Sequence, residues 1–305
     1  MSKVTVSKIH TLTGHRDCIY TLTAAKDRNL FFSGAGDGFV VEWDLKNPES
    51  GQLIAKVPNS VYALSYDHEE GILIIGNNYN GLNFIDVATR KEIEMVSLTK
   101  SAIFDIQWFQ DEIYVGTGDG ELMVVDKFKR KVISKTKMSG ESVRSIAINQ
   151  ETKHMAVGCS DNKIRIINLA TQKVLQELDG HSKSVFTVSY SPDNRYLLSG
   201  SRDAHLKIWS VKNNYQLQES IVAHLYAINH VDFSPDRKHF VTCSMDKSIK
   251  VWDAVQFNLL KVIDKSRHAG HGSSVNKLLW SNYDNQLISC SDDMTISIWD
   301  LKFDN

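Results

Sequence analysis

The sequence predicts an all-β chain built from seven copies of one four-stranded unit, and three observations carry that expectation. An apolar run closing on an acidic or amide turn residue recurs seven times, as LFFSGAGD, ILIIGNNYN, EIYVGTGD, HMAVGCSD, YLLSGSRD, HFVTCSMD and QLISCSDD. The segments that follow end at Asp44, Asp86, Asp126, Asn168, Ser210, Asp253 and Asp300, at intervals of 42, 40, 42, 42, 43 and 47 residues, the length of a four-stranded blade. The runs are short, rich in β-branched and aromatic residues and separated by turn residues, with no helical periodicity.

Taken in order, each unit reads as strand, tight turn, strand, surface turn and outer strand. The tight turns centre on Asp37, Asn80, Asp119, Asp161, Asp203, Asp246 and Asp293. Asp-Gly at 37–38 and 119–120 and Asn-Gly at 80–81 are hairpin dipeptides, because glycine adopts the positive φ such turns need. SPDNRY at 191–196 and SPDRKH at 234–239 place Pro192 and Pro235 where a turn wants φ fixed near −65°. The last interval, 47 residues, marks an insertion between the sixth and seventh units.

Composition bounds the function. In 305 residues, hydrophobic side chains make up 42% and charged ones 23%, enough apolar material for a large core, while the net charge of −1 provides no global basic field. Neither a membrane nor a nucleic acid is therefore expected as a partner. The opening MSKVTVSKIH lacks the apolar stretch of a signal peptide, so the expected location is cytoplasmic. Cys18, Cys159, Cys243 and Cys290 lie far apart without a CxxC pair, which suggests free thiols and no zinc site.

Four units share a stricter pattern. His15, His181, His224 and His271 each precede the turn Asp by 22 residues; Ser33, Ser199, Thr242 and Ser289 stand four before that Asp, and Trp43, Trp209, Trp252 and Trp299 six after it. The His follows Gly14, Gly180, Ala223 and Gly270. On these residues the chain resembles the WD-repeat family from about residue 4 to 302, which implies a single seven-bladed β-propeller domain. Units two to four depart from the pattern: Val57, Thr99 and Gly140 fall near the His position, and Ile85, Val125 and Ile167 replace Trp. The expected blades are residues 16–58, 59–100, 101–140, 141–180, 182–223, 225–269, and 272–303 completed by 4–12. SKIHTLTGH at 7–15 matches KVLQELDGH at 173–181, so the amino-terminal strand should close the ring beside Trp299 and remove an open edge.

His, Ser and Asp at fixed spacing are also the residue types of a hydrolytic triad. Fourfold repetition with Trp at constant offset favours a structural role, and the resemblance implies a hydrogen-bonded chain from Trp through Ser or Thr and His to Asp. No catalytic residue, cofactor or metal is expected; His268 and His271 have H-x-x-H spacing, but no third ligand can be named. The family's usual binding face is the rim carrying the Gly-His elements and tight turns. Transferred position by position, it offers Tyr20, Tyr62, Tyr79, Phe104, Arg144, Phe186, Arg202, Asn229, Met245, Asn276 and Asp292. Aromatics and Arg anchor interfaces well, so the expected function is a scaffold or adaptor binding a protein or peptide, as a monomeric propeller within a complex. The other class considered is a propeller with a small-ligand or enzymatic site at its central channel. KFKRK at 127–131, the one dense basic segment, reads as a solvated hairpin, with an acidic-partner or nucleic-acid contact as the alternative.

Overall fold

A computed structural model describes residues 4–303. They form seven four-stranded antiparallel sheets and one short helix, Lys265–His268. Six sheets follow sequence order, spanning 19–56, 61–97, 103–137, 143–178, 185–222 and 228–263. The seventh joins Val275–Trp280, Leu287–Ser291 and Ile296–Phe303 to the amino-terminal strand Val4–Leu12, as the repeat match at residues 7–15 predicts. That strand runs antiparallel to Ile296–Phe303 from Val4 opposite Phe303 to Leu12 opposite Ile296, with one register shift between Lys8 and His10.

The described residues fall into two compact units, one of residues 4–77, 82–95 and 232–303, the other of 78–81 and 96–231. In the first, Phe31, Trp43, Ile19 and Leu22 pack with Ile288, Cys290, Ile296 and Ile298. In the second, Tyr114, Leu122 and Val124 pack with Val143, Ile146 and Val157, and Ala156, Ile164 and Ile166 with Val185, Val188 and Trp209. The innermost strands thus bury side chains against the next blade, which is why the second strands read as nearly continuous apolar runs.

The tight turns share one backbone device. The residue after the turn Asp takes positive φ at Gly38 (74°), Gly120 (80°), Asn162 (71°), Ala204 (66°), Lys247 (71°) and Met294 (64°). Blade two differs, because its turn, 78–80, spans three residues as 36–38 of blade one does but carries the positive φ one position earlier. Tyr79 takes the positive φ there (65°). Its N–H donates to Ser101 O of the next blade at 2.9 Å; Gly36, which opens the blade-one turn as Asn78 opens this one, donates within its own blade to Cys18 O. At Gly120 the constraint is also steric: a Cβ would sit 2.2 Å from Glu141 O and 2.3 Å from Ser139 O. Gly120→Ala is expected to lower stability by about 1–3 kcal/mol, because backbone must move. Gly140→Ala, where a Cβ meets nothing within 4 Å, is its control; equal melting of the two variants in thermal unfolding would contradict this reading.

The insertion before blade seven is the helix Lys265–His268. Its N-cap Asp264 accepts from Arg267 N (2.9 Å), Arg267 Nε (2.9 Å) and an Arg267 terminal nitrogen (2.6 Å). Lys8 Nζ donates to Ala269 O at 2.7 Å, so the insertion also holds the closing strand.

Candidate functional site: buried tetrads and an aromatic-arginine rim

In blade one, Trp43 Nε1–H donates to Ser33 Oγ at 2.8 Å, and the same oxygen lies 2.8 Å from His15 Nε2. An indole nitrogen only donates, so Ser33 accepts from it; the Asp37 carboxylate at Nδ1 only accepts, so a neutral His15 ring takes the Ser33 proton at Nε2. The ring proton then sits on Nδ1, facing the Asp37 carboxylate at 3.3 Å. Blade five repeats the chain through Trp209, Ser199, His181 and Asp203, with distances of 2.8, 2.8 and 3.0 Å. Blade seven repeats it through Trp299, Ser289, His271 and Asp293 at 2.9, 2.8 and 3.1 Å. In blade six Trp252 Nε1 donates to Thr242 Oγ1 at 2.9 Å, and His224 is buried.

Burial holds the His15 and His181 rings below the ordinary histidine range, against the upward pull of their carboxylates, so both rings are neutral. Burial pushes the other way on Asp203. Hydrogen bonds from His181 and from the backbone N–H of Ser182 and His205 outweigh it and hold the carboxyl well below the usual carboxylate range. Ser33, Ser199 and Ser289 are all 0% exposed, so none of these hydroxyls meets solvent.

The blades without the pattern hold their turns differently. In blade three Thr99 Oγ1 donates to Asp119 at 3.1 Å and Thr117 Oγ1 at 2.5 Å. In blade four the buried Arg165 binds Asp161 at 2.7 Å and Glu177 at 3.1 Å. In blade two Asn77 donates to Asn83, and Asn83 to Glu92 at 2.8 Å. Sequence reading missed Arg165 and Asn83 because no repeat spacing marks them.

It also missed a set of side-chain ties from one innermost strand to the next. Asp105 accepts from Ile146 N at 2.7 Å, Ser145 from Val188 N at 3.1 Å, and Asp232 from Trp280 N at 2.7 Å. Full burial pushes the Asp232 carboxyl up to about 6. The available signal was a carboxylate inside an otherwise strand-like apolar run.

Rim residues predicted from the repeat form local groups. In the second unit the Arg144 guanidinium lies 4.0 Å from the Phe104 ring centre and 5.2 Å from that of Phe186, while its Nε donates to Ser160 Oγ at 2.9 Å. Nearby, Ser184 Oγ donates to Ser160 O, and Arg202, exposed, donates its backbone N–H to Ser184 O. Tyr79 is 57% exposed and Asn229 half-buried.

In the first unit Tyr20 and Tyr62 meet edge to face, 4.7 Å between centres, and burial raises the Tyr20 phenol above its ordinary range. Met245 stands half exposed. Asn276 Nδ2 donates to Ile19 O (2.9 Å) and to Asp292 (2.8 Å), so these two polar side chains are committed to holding blade seven against blade one.

Among the described residues no group of three or more His, Cys, Asp or Glu side chains is placed to hold a metal ion, and no helix is long and apolar enough to cross a membrane. None of the curated proteins compared with the chain matches it. The crystal structure of the WD40 β-propeller domain of Doa1 is similar over 97% of each chain, with a TM-score of 0.85 and 16% identity, a likeness that shows the fold. The family model for the WD domain, G-beta repeat, matches residues 6–44, 132–168, 172–210, 215–253 and 264–300, more than half of the chain. With seven four-stranded sheets, the last completed by the amino-terminal strand, this chain belongs to the WD40-repeat family and is a seven-bladed β-propeller.

Proposed function

We propose that this protein is a non-catalytic interaction scaffold that binds a protein or peptide through the rim bearing its Gly-His elements and tight turns. The observation that carries the reading is the Arg144 guanidinium held between the rings of Phe104 and Phe186. A planar cation stacked on aromatic faces loses little further rotamer freedom when a partner docks, and the rings add apolar contact area. Tyr20 and Tyr62 supply a comparable rigid pair in the first unit. The Ser-His-Asp sets the family pattern marks bury their hydroxyls and imidazoles, which supports a structural role for them. A cytoplasmic setting fits four cysteines that form no disulfide, three of them fully buried.

The test is affinity purification with mass spectrometry on the wild type and on Phe104→Ala and Arg144→Ala at matched expression. Partners captured by the wild type are expected to bind each variant about 30-fold more weakly, as for an interface hot spot. Folding is checked by circular dichroism. Undiminished capture by both correctly folded variants would remove the basis for this site.

A further inference from the structure

The turn between the third and fourth strands has one backbone design in several blades, and blade three uses it differently. Asp126 opens the turn: its carboxylate accepts from Phe128 N (3.0 Å) and Lys129 N (2.7 Å), and Arg130, at φ 52°, returns its N–H to Asp126 O at 2.9 Å. Equivalent turns start at Asp86, Asn168 and Asp253 and close on positive-φ Arg90, Gln172 and Phe257. In those turns the residue after the capping residue is Val87, Leu169 or Ala254, and the tip residue is Ala88, Ala170 or Val255. Blade three instead has Lys127 and Phe128. The Lys127 ammonium lies over the Trp108 ring (4.8 Å) and the Phe128 ring (5.4 Å), and Phe128 is 61% exposed.

The outer strand that follows, Val132–Lys137, ends its sheet, so no further strand covers its outer edge. Val132 and Ile133 are exposed at its start, and Lys131, Lys135 and Lys137 are exposed beside them. From 127 to 137 the chain carries six cations and no acid, whereas the outer strands of blades two, four and five carry Glu92 and Glu94, Glu177 and Glu219. Blade three thus presents a hydrogen-bonded turn with an aromatic tip, two aliphatic side chains and a dense run of cations.

We propose that this hairpin is a peripheral docking site for an anionic lipid bilayer, with Phe128, Val132 and Ile133 entering the headgroup boundary and Lys129 and Lys131 meeting the lipid charge. Charge complementarity selects an anionic surface, and cationic side chains around exposed apolar ones are the pattern of interfacial anchors. Two exposed aliphatics beside a single exposed ring favour a bilayer over a nucleic acid, whose successive bases stack on several aromatic side chains. The net charge of −1, from which no membrane partner is expected, averages away this local field. Strands alternate direction within a blade, so the turn lies at the opposite end of blade three from the rim turn at Asp119. Bilayer contact leaves the Phe104 and Arg144 group facing away from the membrane.

The experiment is co-sedimentation of the full chain with phosphatidylcholine vesicles, with and without phosphatidylserine, at two salt concentrations. The wild type is expected to bind only the phosphatidylserine vesicles and to release them at high salt. Phe128→Ser and the double variant Lys129→Glu, Lys131→Glu are each expected to lower partitioning about tenfold, with unchanged melting. The charge-matched Lys91→Glu, Lys183→Glu control is expected to bind like the wild type. Absence of wild-type binding, or equal loss in the control, overturns the proposal. So does full binding by Phe128→Ser, which would point to a purely electrostatic contact with some other polyanion.

Discussion

A variant lacking residues 1–12 is expected to melt about 10 °C or more below the full chain, because it loses the fourth strand of blade seven. Val4 and Leu12 are 3% exposed at the two ends of that strand, and its removal strips the backbone partners from Ile296–Phe303. Trp299, 0% exposed, would lose cover on one side together with the Lys8 ammonium 5.5 Å from its ring. The damage is not confined to one blade, since Trp299 and Leu301 pack with Val241, Val251 and Ile263 of blade six. A circular permutant separates strand pairing from any effect of the chain end. Val4 lies opposite Phe303, so a short glycine-containing turn can join them while the chain is opened after Leu12. This permutant is expected to recover most of the lost stability, and a permutant as unstable as the truncation would rule out pairing as the cause.

Asp203→Asn is expected to cost about 1–3 kcal/mol at neutral pH, because three N–H groups in blade five lose an ionised acceptor. The loss has a pH signature. The native Asp203 carboxyl titrates below its unfolded value of 3.8, so its contribution is present above about pH 4 and disappears as pH falls towards the native value. The stability difference between wild type and variant should therefore be flat from neutral pH to about 4 and shrink below it.

Other groups change absolute stability over the same range. His15 and His181 stay neutral while the unfolded chain takes up protons near pH 6.5, so the fold weakens as pH drops below that value. Asp232 opposes them: it takes up its proton near 6 in the fold and only near 3.8 in the unfolded chain, stabilising the fold as pH falls between those values. The His15 and Asp232 effects cancel in the wild-type-minus-variant difference; that of His181, which faces residue 203, cancels only while its ring is neutral in both proteins. Urea unfolding of the two proteins across this pH range isolates Asp203, and a difference that grows in acid would contradict the assignment.

The repeat was legible because each blade must solve the same packing problem, and the residues that do so recur at constant offsets. Where a blade solves it otherwise the offset is lost. Thr99 and Thr117 hold Asp119, and Arg165 holds Asp161, with residue types that no spacing rule singles out. The turns behave alike. Asp-Gly marks the positive-φ position at Gly38 and Gly120, yet Ala204, Lys247 and Met294 adopt the same conformation with no sequence sign of it. Tyr79 was placed by analogy with Gly36, yet Asn78 opens that turn as Gly36 does, and Tyr79, one position later, turns its N–H to the next blade.

By itself the sequence determined the number of sheets, the addition of the amino-terminal strand to the last of them and the offsets of the Trp, Ser, His and Asp residues that hydrogen-bond in blades one, five and seven. These follow from alternation along single strands and from spacing within one repeat. Only the tertiary structure decided that Arg144 lies between Phe104 and Phe186, that Asp105 and Asp232 tie neighbouring innermost strands, and that Phe128 stands at the tip of a cationic turn. A repeat period says where along its own strand a residue falls. Which side chains face it from the next blade depends on how two twisted sheets pack, and that geometry leaves no periodic mark in the chain.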